Sequence, residues 1–372
     1  MTSLKSALQR RLGGFLSEPI DGMPEAAVVV APSTLEEAAE ILATASEHSI
    51  PVLVWGGGTH QGLGGRVHPA VVLSTARLDA IVDWQPEDLT VVVEAGVRVA
   101  DLEDRLAGGG QSAVLPEVRG NTTVGGVVAA GVSGFRRLRY GPTRDRMLEV
   151  ELVTGDGRIV RGGGRVVKNV TGYDLPRLAA GSFGSLGLIG RVCLKLWPLS
   201  EAQRTVTLAK PQPDYGYRPL AVIEERDQVR VYLAGTSAEI EARTAELGGN
   251  HEEGLQWPGP LDGSVRLSLR VAPRLLRRAV EQIPASWPYQ ALPGVGEIRI
   301  GVQGFESEIC VELRRWAESH GGALVLTEAS QPVYESFDAW GTPPAGMELQ
   351  RRVVARFDPD RVVNPGRLPG GL

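Results

Sequence analysis

The sequence of 372 residues predicts an α+β protein built from two domains. Two observations lead to this prediction. Between residues 27 and 199, three glycine-rich stretches each adjoin a strand-like run of apolar residues. Over residues 200–340 the glycine-rich stretches end, and strand and helix patterns mix with an antiparallel tendency. We therefore expect a larger first domain and a smaller second one, with a helical segment before them over residues 1–26 and a further helix and loop over residues 341–372.

The first domain opens with a predicted βαβ unit. Residues 27–31 have the pattern of a strand, and residues 51–55 that of a buried strand. Between them, Ser33 and Glu36 have the spacing of a capping box that opens a helix reaching about His48. The apolar residues of that helix share one face, so the helix is expected to pack on the strands.

The remaining elements follow from the same apolar periodicities. In the first domain, further strands are expected over 71–73, 80–83, 90–94, 148–153, 158–160 and 188–196, with a helix over 99–106. Beyond it, strands are expected over 206–208, 220–224, 228–233, 265–270, 297–302 and 323–326, with helices over 238–247, 273–282, 306–319 and 347–356. The sequence contains no recognisable internal repeat.

The three glycine-rich stretches indicate a phosphate-bearing cofactor. They lie within residues 56–62, 124–134 and 184–189. Glycine lets the backbone approach a ligand closely, and main-chain N–H groups then hold a diphosphate without lysines. A Walker A loop is excluded because no Gly-Lys pair occurs. A Rossmann fingerprint is disfavoured because G-x-G-x-x-G is absent and a strand pattern, not a helix, follows Gly65.

Charge and cysteine content exclude several classes of protein. The formal net charge of −5 and the pI of about 5.7 do not indicate the basic surface that binds nucleic acid. Cys193 and Cys310 have no C-x-x-C companion, so neither an iron–sulfur cluster nor a disulfide framework is expected. The histidines are scattered, and no metal site is expected. No stretch approaches the ~18 apolar residues of a spanning helix, so we expect a cytoplasmic protein without direct membrane insertion.

These elements and motifs resemble those of the FAD-binding oxidoreductases of the vanillyl-alcohol oxidase/p-cresol methylhydroxylase (PCMH) type. The resemblance covers residues 27–198 and 358–367. Within this family the chain is most similar to the FAD-binding subunits of bacterial glycolate oxidases, on the run of residues 167–175. The resemblance implies a two-subdomain FAD-binding PCMH-type domain and a smaller α+β cap domain over residues 200–340, with the C-terminal loop returning to the FAD domain.

The resemblance also implies which residues hold FAD. The expected cofactor-binding residues are Gly56, Gly57, Gly58, Thr59, His60, Pro116, Thr122, Thr123, Gly125, Gly126, Ser133, Gly134, Tyr140, Gly141, Gly184, Gly187, Ile189 and Asn364. Lys168 and Tyr173 are further candidates for steering flavin or substrate, with a structural hydrogen-bond network as the equal alternative. Asn364 precedes a Pro-Gly pair, so a simple turn would also explain it.

His60 requires separate consideration because some family members link FAD covalently to a histidine in this loop. When the glycines are aligned, Thr59 occupies the linking position and His60 follows it. The resemblance therefore implies noncovalent FAD, with His60 as a loop residue near the phosphates.

In function, the resemblance implies an FAD-binding subunit of a glycolate oxidase or dehydrogenase complex, which oxidises the 2-hydroxy acid glycolate to glyoxylate. Because the chain carries no cluster, a partner must carry the electrons away. The resemblance implies that the partners are a homologous FAD-binding catalytic subunit and an iron–sulfur subunit. Association with a membrane would then occur through the complex.

No catalytic base can be assigned from the sequence. The reaction needs a base for the hydroxyl proton and an arginine for the carboxylate, and the histidine-rich run of catalytic relatives is absent. Arg266, Arg270 and Arg299 lie on strand-like segments, but such arginines are commonly surface residues. Three alternatives stay open: an FAD-bearing relay or assembly subunit, a stand-alone dehydrogenase of the D-lactate type, and a homologue that has lost the flavin.

Overall fold

The computed structural model describes residues 11–19, 22–24, 28–117, 120–165, 172–210 and 215–372. These residues contain a three-stranded parallel sheet, a five-stranded antiparallel sheet, an eight-stranded antiparallel sheet and a short two-stranded pairing. The predicted N-terminal helical segment lies largely outside the described residues, and its described part includes a 3₁₀ turn, Gly13–Phe15.

The parallel sheet consists of β1 (Val28–Val30), β2 (Val52–Trp55) and β3 (Val71–Ser74) in the order β1-β3-β2. The helix Leu35–Glu47 connects β1 to β2, as the predicted βαβ unit requires. The two strands of this unit do not pair with each other, because β3 lies between them and pairs with both in parallel. Nearly all residues of the three strands are buried, which is typical of parallel sheets.

The predicted capping box of this helix is shifted by one residue. Thr34, not Ser33, is the N-cap, and its hydroxyl accepts a hydrogen bond of 3.1 Å from the main-chain N–H of Glu37. The Glu37 carboxylate in turn accepts from the N–H of Ser33 at 2.6 Å. Both residues before the helix are suitable caps, so composition alone could not choose between them.

The five-stranded sheet has the order β4-β5-β9-β7-β8. Its strands are β4 (Ile81–Gln85), β5 (Thr90–Glu94), β7 (Met147–Val153), β8 (Ile159–Gly163) and β9 (Leu188–Lys195). The helices Val99–Ala107 and Val124–Ala130 contribute to the core beneath this sheet. The short strands β6 (Gln111–Ser112) and β10 (Trp197–Pro198) pair at its margin, and the short helices Arg137–Tyr140 and Leu175–Ala179 lie in the connections.

The second glycine-rich stretch is partly a helix, at a place where the sequence predicts none. Thr123 caps the helix Val124–Ala130 by accepting from the N–H of Gly126, and Gly131, at φ 63°, ends it. Glycine disfavours helix. Burial of Val124, Val127 and Val128 in the core outweighs that preference, because packing of an apolar face provides most helical stability in proteins.

The eight-stranded sheet has the order β14-β11-β13-β12-β16-β17-β15-β18. Its strands are β11 (Ala202–Ala209), β12 (Ala221–Glu224), β13 (Gln228–Gly235), β14 (Asn250–Glu253), β15 (Val265–Arg270), β16 (Tyr289–Leu292), β17 (Glu297–Val302) and β18 (Ala323–Glu328). The helices after residue 200 are Ser237–Leu247, Leu276–Val280, Ser307–Ser319, Gln331–Ser336 and Met347–Phe357. Strands β14 and β16 were not predicted.

This sheet contains a topological repeat that the sequence does not reveal. The first four strands are arranged as β14-β11-β13-β12 and the last four as β18-β15-β17-β16, so each half has the same order of first, second, third and fourth strand. A helix precedes the fourth strand in each half. The halves join where β12 pairs with β16. The repeat lies in strand order, which the residue pattern does not encode.

We expect Thr34→Ala to lower the free energy of unfolding by about 1 kcal/mol, because the variant loses the side-chain acceptor that caps the helix. The matched control is Ser33→Ala, which leaves its capping main-chain N–H in place. Denaturant unfolding of both variants tests the assignment. A larger loss in Ser33→Ala than in Thr34→Ala would restore the predicted capping box.

Candidate functional site

A cleft of about 650 Å³ lies in the first domain, where the three glycine-rich stretches meet the C-terminal loop. Its lining residues are mostly small or apolar. They are Val54, Gly56, Gly57, Gly58, Thr59, His60, Gln61, Thr75, Ala95, Gly125, Gly126, Ala129, Ala130, Phe183, Gly184, Gly187, Ile189, Asn364 and Arg367. No aspartate or glutamate occurs among these described residues, so the cleft suits an anionic ligand.

The cleft brings together many of the residues that the sequence assigned to the cofactor. Those that line it are Gly56, Gly57, Gly58, Thr59, His60, Gly125, Gly126, Gly184, Gly187, Ile189 and Asn364. Those that do not are Pro116, Thr122, Thr123, Ser133, Gly134, Tyr140 and Gly141. The structure therefore divides the predicted set into a lining group and a surrounding group.

Members of the surrounding group contact the protein itself. The Thr122 hydroxyl lies 3.0 Å from that of Thr59 and supports the first glycine loop. The Ser133 hydroxyl accepts from the N–H of Thr143 at 3.1 Å. The ring of Tyr140 packs edge-on against that of Trp197, with 5.3 Å between centroids. Through these contacts, the residues stabilise the protein around the cleft.

The first glycine loop presents unpaired main-chain donors to the cleft. The N–H groups of residues 57–60 find no acceptor within the described part of the chain. Gly58 has a φ of 75°, a left-handed conformation that favours glycine. The Thr59 hydroxyl adds a further polar group. Such a group of main-chain donors is suited to phosphate oxygens.

The glycines of this loop serve protein packing as well as ligand approach. A Cβ on Gly57 would lie 1.6 Å from the Asn121 carbonyl oxygen, and one on Gly58 would lie 2.6 Å from the Trp55 ring. The sequence attributes these glycines to space for the cofactor. The structure shows that neighbouring protein atoms already occupy the side-chain positions, so larger residues there would displace the loop itself.

Gly126 differs from the other glycines of the cleft. Apart from its chain neighbours and the backbone of its own helix, a Cβ at this position would meet only the Thr123 hydroxyl within 4 Å, at 3.2 Å. Ala129 and Ala130 lie one turn further along the same helix and also line the cleft. The helix therefore presents a face without large side chains, which leaves room for a flat or extended ligand.

His60 is largely buried beside the unpaired N–H groups. Desolvation lowers its pKa from 6.5 to about 4, so the imidazole is neutral at pH 7. Its Nδ1 atom lies 3.1 Å from the Thr59 hydroxyl. Thr59, at the position that the sequence comparison aligned with the linking histidine, has a hydroxyl in place of an imidazole. The prediction that FAD binds noncovalently remains untested.

Asn364 connects the first and third glycine-rich stretches. Its side-chain oxygen accepts from the N–H of Val54 at 2.9 Å, and its side-chain nitrogen donates to the Phe183 carbonyl at 2.7 Å. Its own N–H donates to the Val52 carbonyl at 2.8 Å. The residue is 5% exposed. The turn interpretation of Asn364 therefore accounts for only part of its role.

Arg367 lines the cleft but was not among the predicted site residues. Its guanidinium donates to the carbonyls of His60, Gln61 and Gly65 and to the Gln61 side chain, at 2.9–3.3 Å. The signal available in the sequence was its place in the C-terminal run that resembles the family. Its contacts with a loop some 300 residues earlier could not be read from that run.

The three arginines considered for the substrate carboxylate, Arg266, Arg270 and Arg299, do not line the cleft. They project from the same face of β15 and β17. Arg266 pairs with Glu328 at 2.6 Å, and Arg270 Nε lies 3.2 Å from the Ser268 hydroxyl. Arg299 stacks on the Phe135 ring at 4.3 Å and donates to the Ser133 carbonyl at 3.4 Å. Arg299 thus fastens the second domain to the first.

The remaining predictions concern the run of residues 167–175, metals and membranes. Lys168 lies outside the described residues. Tyr173 is 96% exposed and does not line the cleft. Within the described ranges, no group of three or more metal-ligating side chains occurs. No helix in the described part of the chain is long and apolar enough to span a membrane.

The cleft fits FAD by the chemistry of its lining. Unpaired main-chain N–H groups suit the diphosphate, the bare helix face leaves space for rings, and no carboxylate of the described lining would repel the anion. Comparison with protein families agrees, because residues 26–163 match the FAD binding domain. Residues 26–163 are therefore similar to the FAD binding domain, and the cofactor of the chain is FAD.

Comparison with individual proteins finds similarity to dehydrogenases, to glycolate oxidase subunits and to proteins named as FAD-linked oxidoreductases. It is 36% identical to a D-lactate dehydrogenase of Archaeoglobus fulgidus over 224 residues, which cover 59% of this chain and 49% of that protein. It is 36% identical to glycolate oxidase subunit GlcD of Bacillus subtilis, covering 50% of this chain and 39% of that protein. The chain thus spans half or less of the length of these relatives.

A third relative matches over much more of its length. The chain is 28% identical to glycolate oxidase subunit GlcE of Escherichia coli over 306 residues, which cover 77% of this chain and 84% of that subunit. Among solved structures, an alkyldihydroxyacetonephosphate synthase matches with a TM-score of 0.63 at 15% identity, covering 92% of this chain and 77% of that one. This structural likeness supports the fold alone.

We expect Gly126→Leu to weaken FAD binding at least tenfold, or about 1.4 kcal/mol, because the new side chain would enter the open face of the cleft. Leucine favours helix over glycine, so the fold should not suffer. Fluorescence titration of the apoprotein with FAD measures the loss, and Gly126→Ala is the size control. Unchanged affinity in Gly126→Leu would remove this helix face from the FAD site.

We expect the apoprotein to lose stability as the pH falls from about 6.5 to about 4. The folded state holds the pKa of His60 near 4, so the unfolded chain binds this proton first, and stability is lost across that window. The maximum effect is about 3 kcal/mol. Unfolding midpoints against pH, for the wild type and His60→Gln, measure it. Parallel curves for the two proteins would contradict the assignment.

Proposed function

We propose that this chain is the FAD-binding subunit of a glycolate oxidase-type complex, which takes part in the oxidation of a small 2-hydroxy acid and passes electrons to a partner subunit. The observation that carries the proposal is the extent of the match to GlcE: 84% of that subunit is covered, against 39% of GlcD. This larger coverage supports a GlcE-like subunit over a GlcD-like one.

If this chain itself oxidised the substrate, bound FAD would supply the two-electron acceptor for hydride removal from the hydroxyl-bearing carbon. The chain's own residues would hold it: the N–H groups of residues 57–60, the Thr59 hydroxyl and the bare face at Gly126. Oxidation of glycolate to glyoxylate also releases the hydroxyl proton, which needs a base. The described residues of the cleft can hold the cofactor, but they do not provide a suitable base.

The missing base favours a relay role for this subunit within the complex. His60 is the titratable base of the described cleft lining, and a pKa near 4 makes it a poor acceptor at neutral pH. Arg266 is already paired with Glu328, and Arg299 holds the Ser133 carbonyl. We propose that a homologous flavin subunit removes the hydride and that an iron–sulfur subunit carries the electrons away.

A stand-alone dehydrogenase of the D-lactate type is the second candidate function. The 36% identity to the Archaeoglobus fulgidus D-lactate dehydrogenase favours it, although only 49% of that protein is covered. The two candidates differ in what the isolated chain can do, since a stand-alone enzyme must reduce its own flavin with substrate.

An anaerobic titration separates these functions. We expect the purified chain to be yellow, to release its flavin into the supernatant on acid precipitation, and to keep its flavin band when glycolate or D-lactate is added. Co-expression with the flavin and iron–sulfur subunits should restore bleaching by glycolate. General acid–base catalysis is worth roughly 10²–10⁴-fold, so the difference in turnover should be large.

The controls of this experiment decide between the alternatives. Dithionite must bleach the isolated chain, which proves that the flavin is reducible. Bleaching of the isolated chain by D-lactate would favour the stand-alone dehydrogenase, and turnover by the chain alone equal to that of the complex would overturn the relay role. A colourless chain that takes up no FAD would identify it as a homologue that has lost the flavin.

A further inference from the structure

Arg367 is a buried charge in the cleft. It is 6% exposed, and among the described lining residues it is the one side chain with a permanent charge. Burial lowers its pKa to about 10, so it remains cationic at neutral pH. A buried guanidinium normally has a carboxylate partner, because an unpaired ion in the interior is costly.

The described residues provide no such partner. The guanidinium donates to uncharged oxygens, namely the carbonyls of His60, Gln61 and Gly65 and the side-chain amide of Gln61. No carboxylate in the described part of the chain forms an ion pair with it. The charged side chain that acts on its pKa is Arg66, which has the same sign and lowers that pKa further.

The position of Arg367 indicates where its counter-charge would lie. Its bonds to the His60 and Gln61 carbonyls place the guanidinium beside the first glycine loop. The unpaired N–H groups of residues 57–60 belong to the same loop. The guanidinium of Arg367 and the unpaired N–H groups therefore lie at the same loop. An anionic group of a ligand is expected to bind there.

We propose that Arg367 is the counter-charge of the FAD diphosphate and that, through the carbonyls it binds, it holds the first glycine loop in the shape that receives that diphosphate. The proposal depends on FAD as the cofactor and is independent of the substrate. It also assigns the C-terminal loop a part in cofactor binding, because Arg367 reaches the glycine loop from there.

The experiment compares ligands that carry or lack the diphosphate. Apoprotein is titrated with FAD, with ADP and with riboflavin, for the wild type, Arg367→Gln, Arg367→Lys and Arg66→Gln. Arg66 is the matched control: it stacks on the Tyr334 ring at 4.1 Å and does not line the cleft. Circular dichroism and thermal unfolding establish that each variant is folded.

We expect Arg367→Gln to weaken FAD and ADP by roughly 10–100-fold and riboflavin by less than about threefold. Arg367→Lys keeps the charge but loses the planar fork of donors, so it should retain the preference for FAD over riboflavin within about threefold. Arg66→Gln should change none of the three affinities by more than about threefold. The salt dependence of FAD binding should fall in Arg367→Gln only.

Several results would overturn the proposal. Equal losses for FAD and riboflavin in Arg367→Gln would mean that the residue only shapes the loop, and unchanged FAD affinity would mean that it has no part in binding. A diphosphate-selective loss in Arg66→Gln would assign the counter-charge to that residue instead. If Arg367→Gln does not fold, Arg367→Lys decides, because a lost preference for FAD in this charged variant contradicts the proposal. None of these readouts depends on glycolate turnover.

Discussion

The return of the C-terminal loop into the first domain is the constraint on which the cofactor cleft depends. Val363 forms a parallel bridge with Val52, which extends the parallel sheet at the edge of β2. Asn364 then adopts a φ of 47°, a conformation that asparagine tolerates better than most residues. Its side-chain amide forms hydrogen bonds with Val54 and Phe183, which lie just before the first and the third glycine-rich stretch. One residue therefore connects two stretches that are more than 100 residues apart in sequence.

The segment before Asn364 is itself held by a buried carboxylate. Asp358 is 1% exposed and accepts from the N–H groups of Val362 and Val363 at 3.1 and 2.8 Å. Burial raises the pKa of this carboxyl, while the two N–H bonds act in the opposite direction. A chain of local contacts thus leads from the end of the helix Met347–Phe357 to the cleft, and the loop arrives there in a defined conformation.

Residues 334 and 340 make specific contacts with the first glycine loop and the C-terminal loop. The Tyr334 hydroxyl donates to the Gly62 carbonyl, and Trp340 Nε1 donates to the Arg367 carbonyl at 3.0 Å. The Trp340 ring also packs edge-on against Phe183. The glycine loop is therefore held from the second domain as well as from the C-terminal loop. A cofactor in the cleft would therefore be bound by a loop that both Tyr334 and Arg367 contact.

The sequence by itself determined those elements whose signal is local. The strands Val265–Arg270 and Glu297–Val302 have the predicted bounds, because apolar alternation and turn residues suffice to define them. The glycine-rich stretches beside strands predicted a phosphate-bearing cofactor, and the resemblance of the motifs implied FAD, which the match of residues 26–163 to the FAD binding domain confirms. An element whose structure follows from its own residue pattern can be predicted without knowing which segments pack against it.

The tertiary structure decided everything that depends on partners distant in sequence. Packing on the core made a helix of Val124–Ala130, against the low helix propensity of its glycines. Contacts with Asn121 and Trp55 explain Gly57 and Gly58, and loop carbonyls about 300 residues earlier explain Arg367. The physical reason is common to all: burial, close approach and hydrogen-bond partners arise only when separate segments meet, and no local pattern records them.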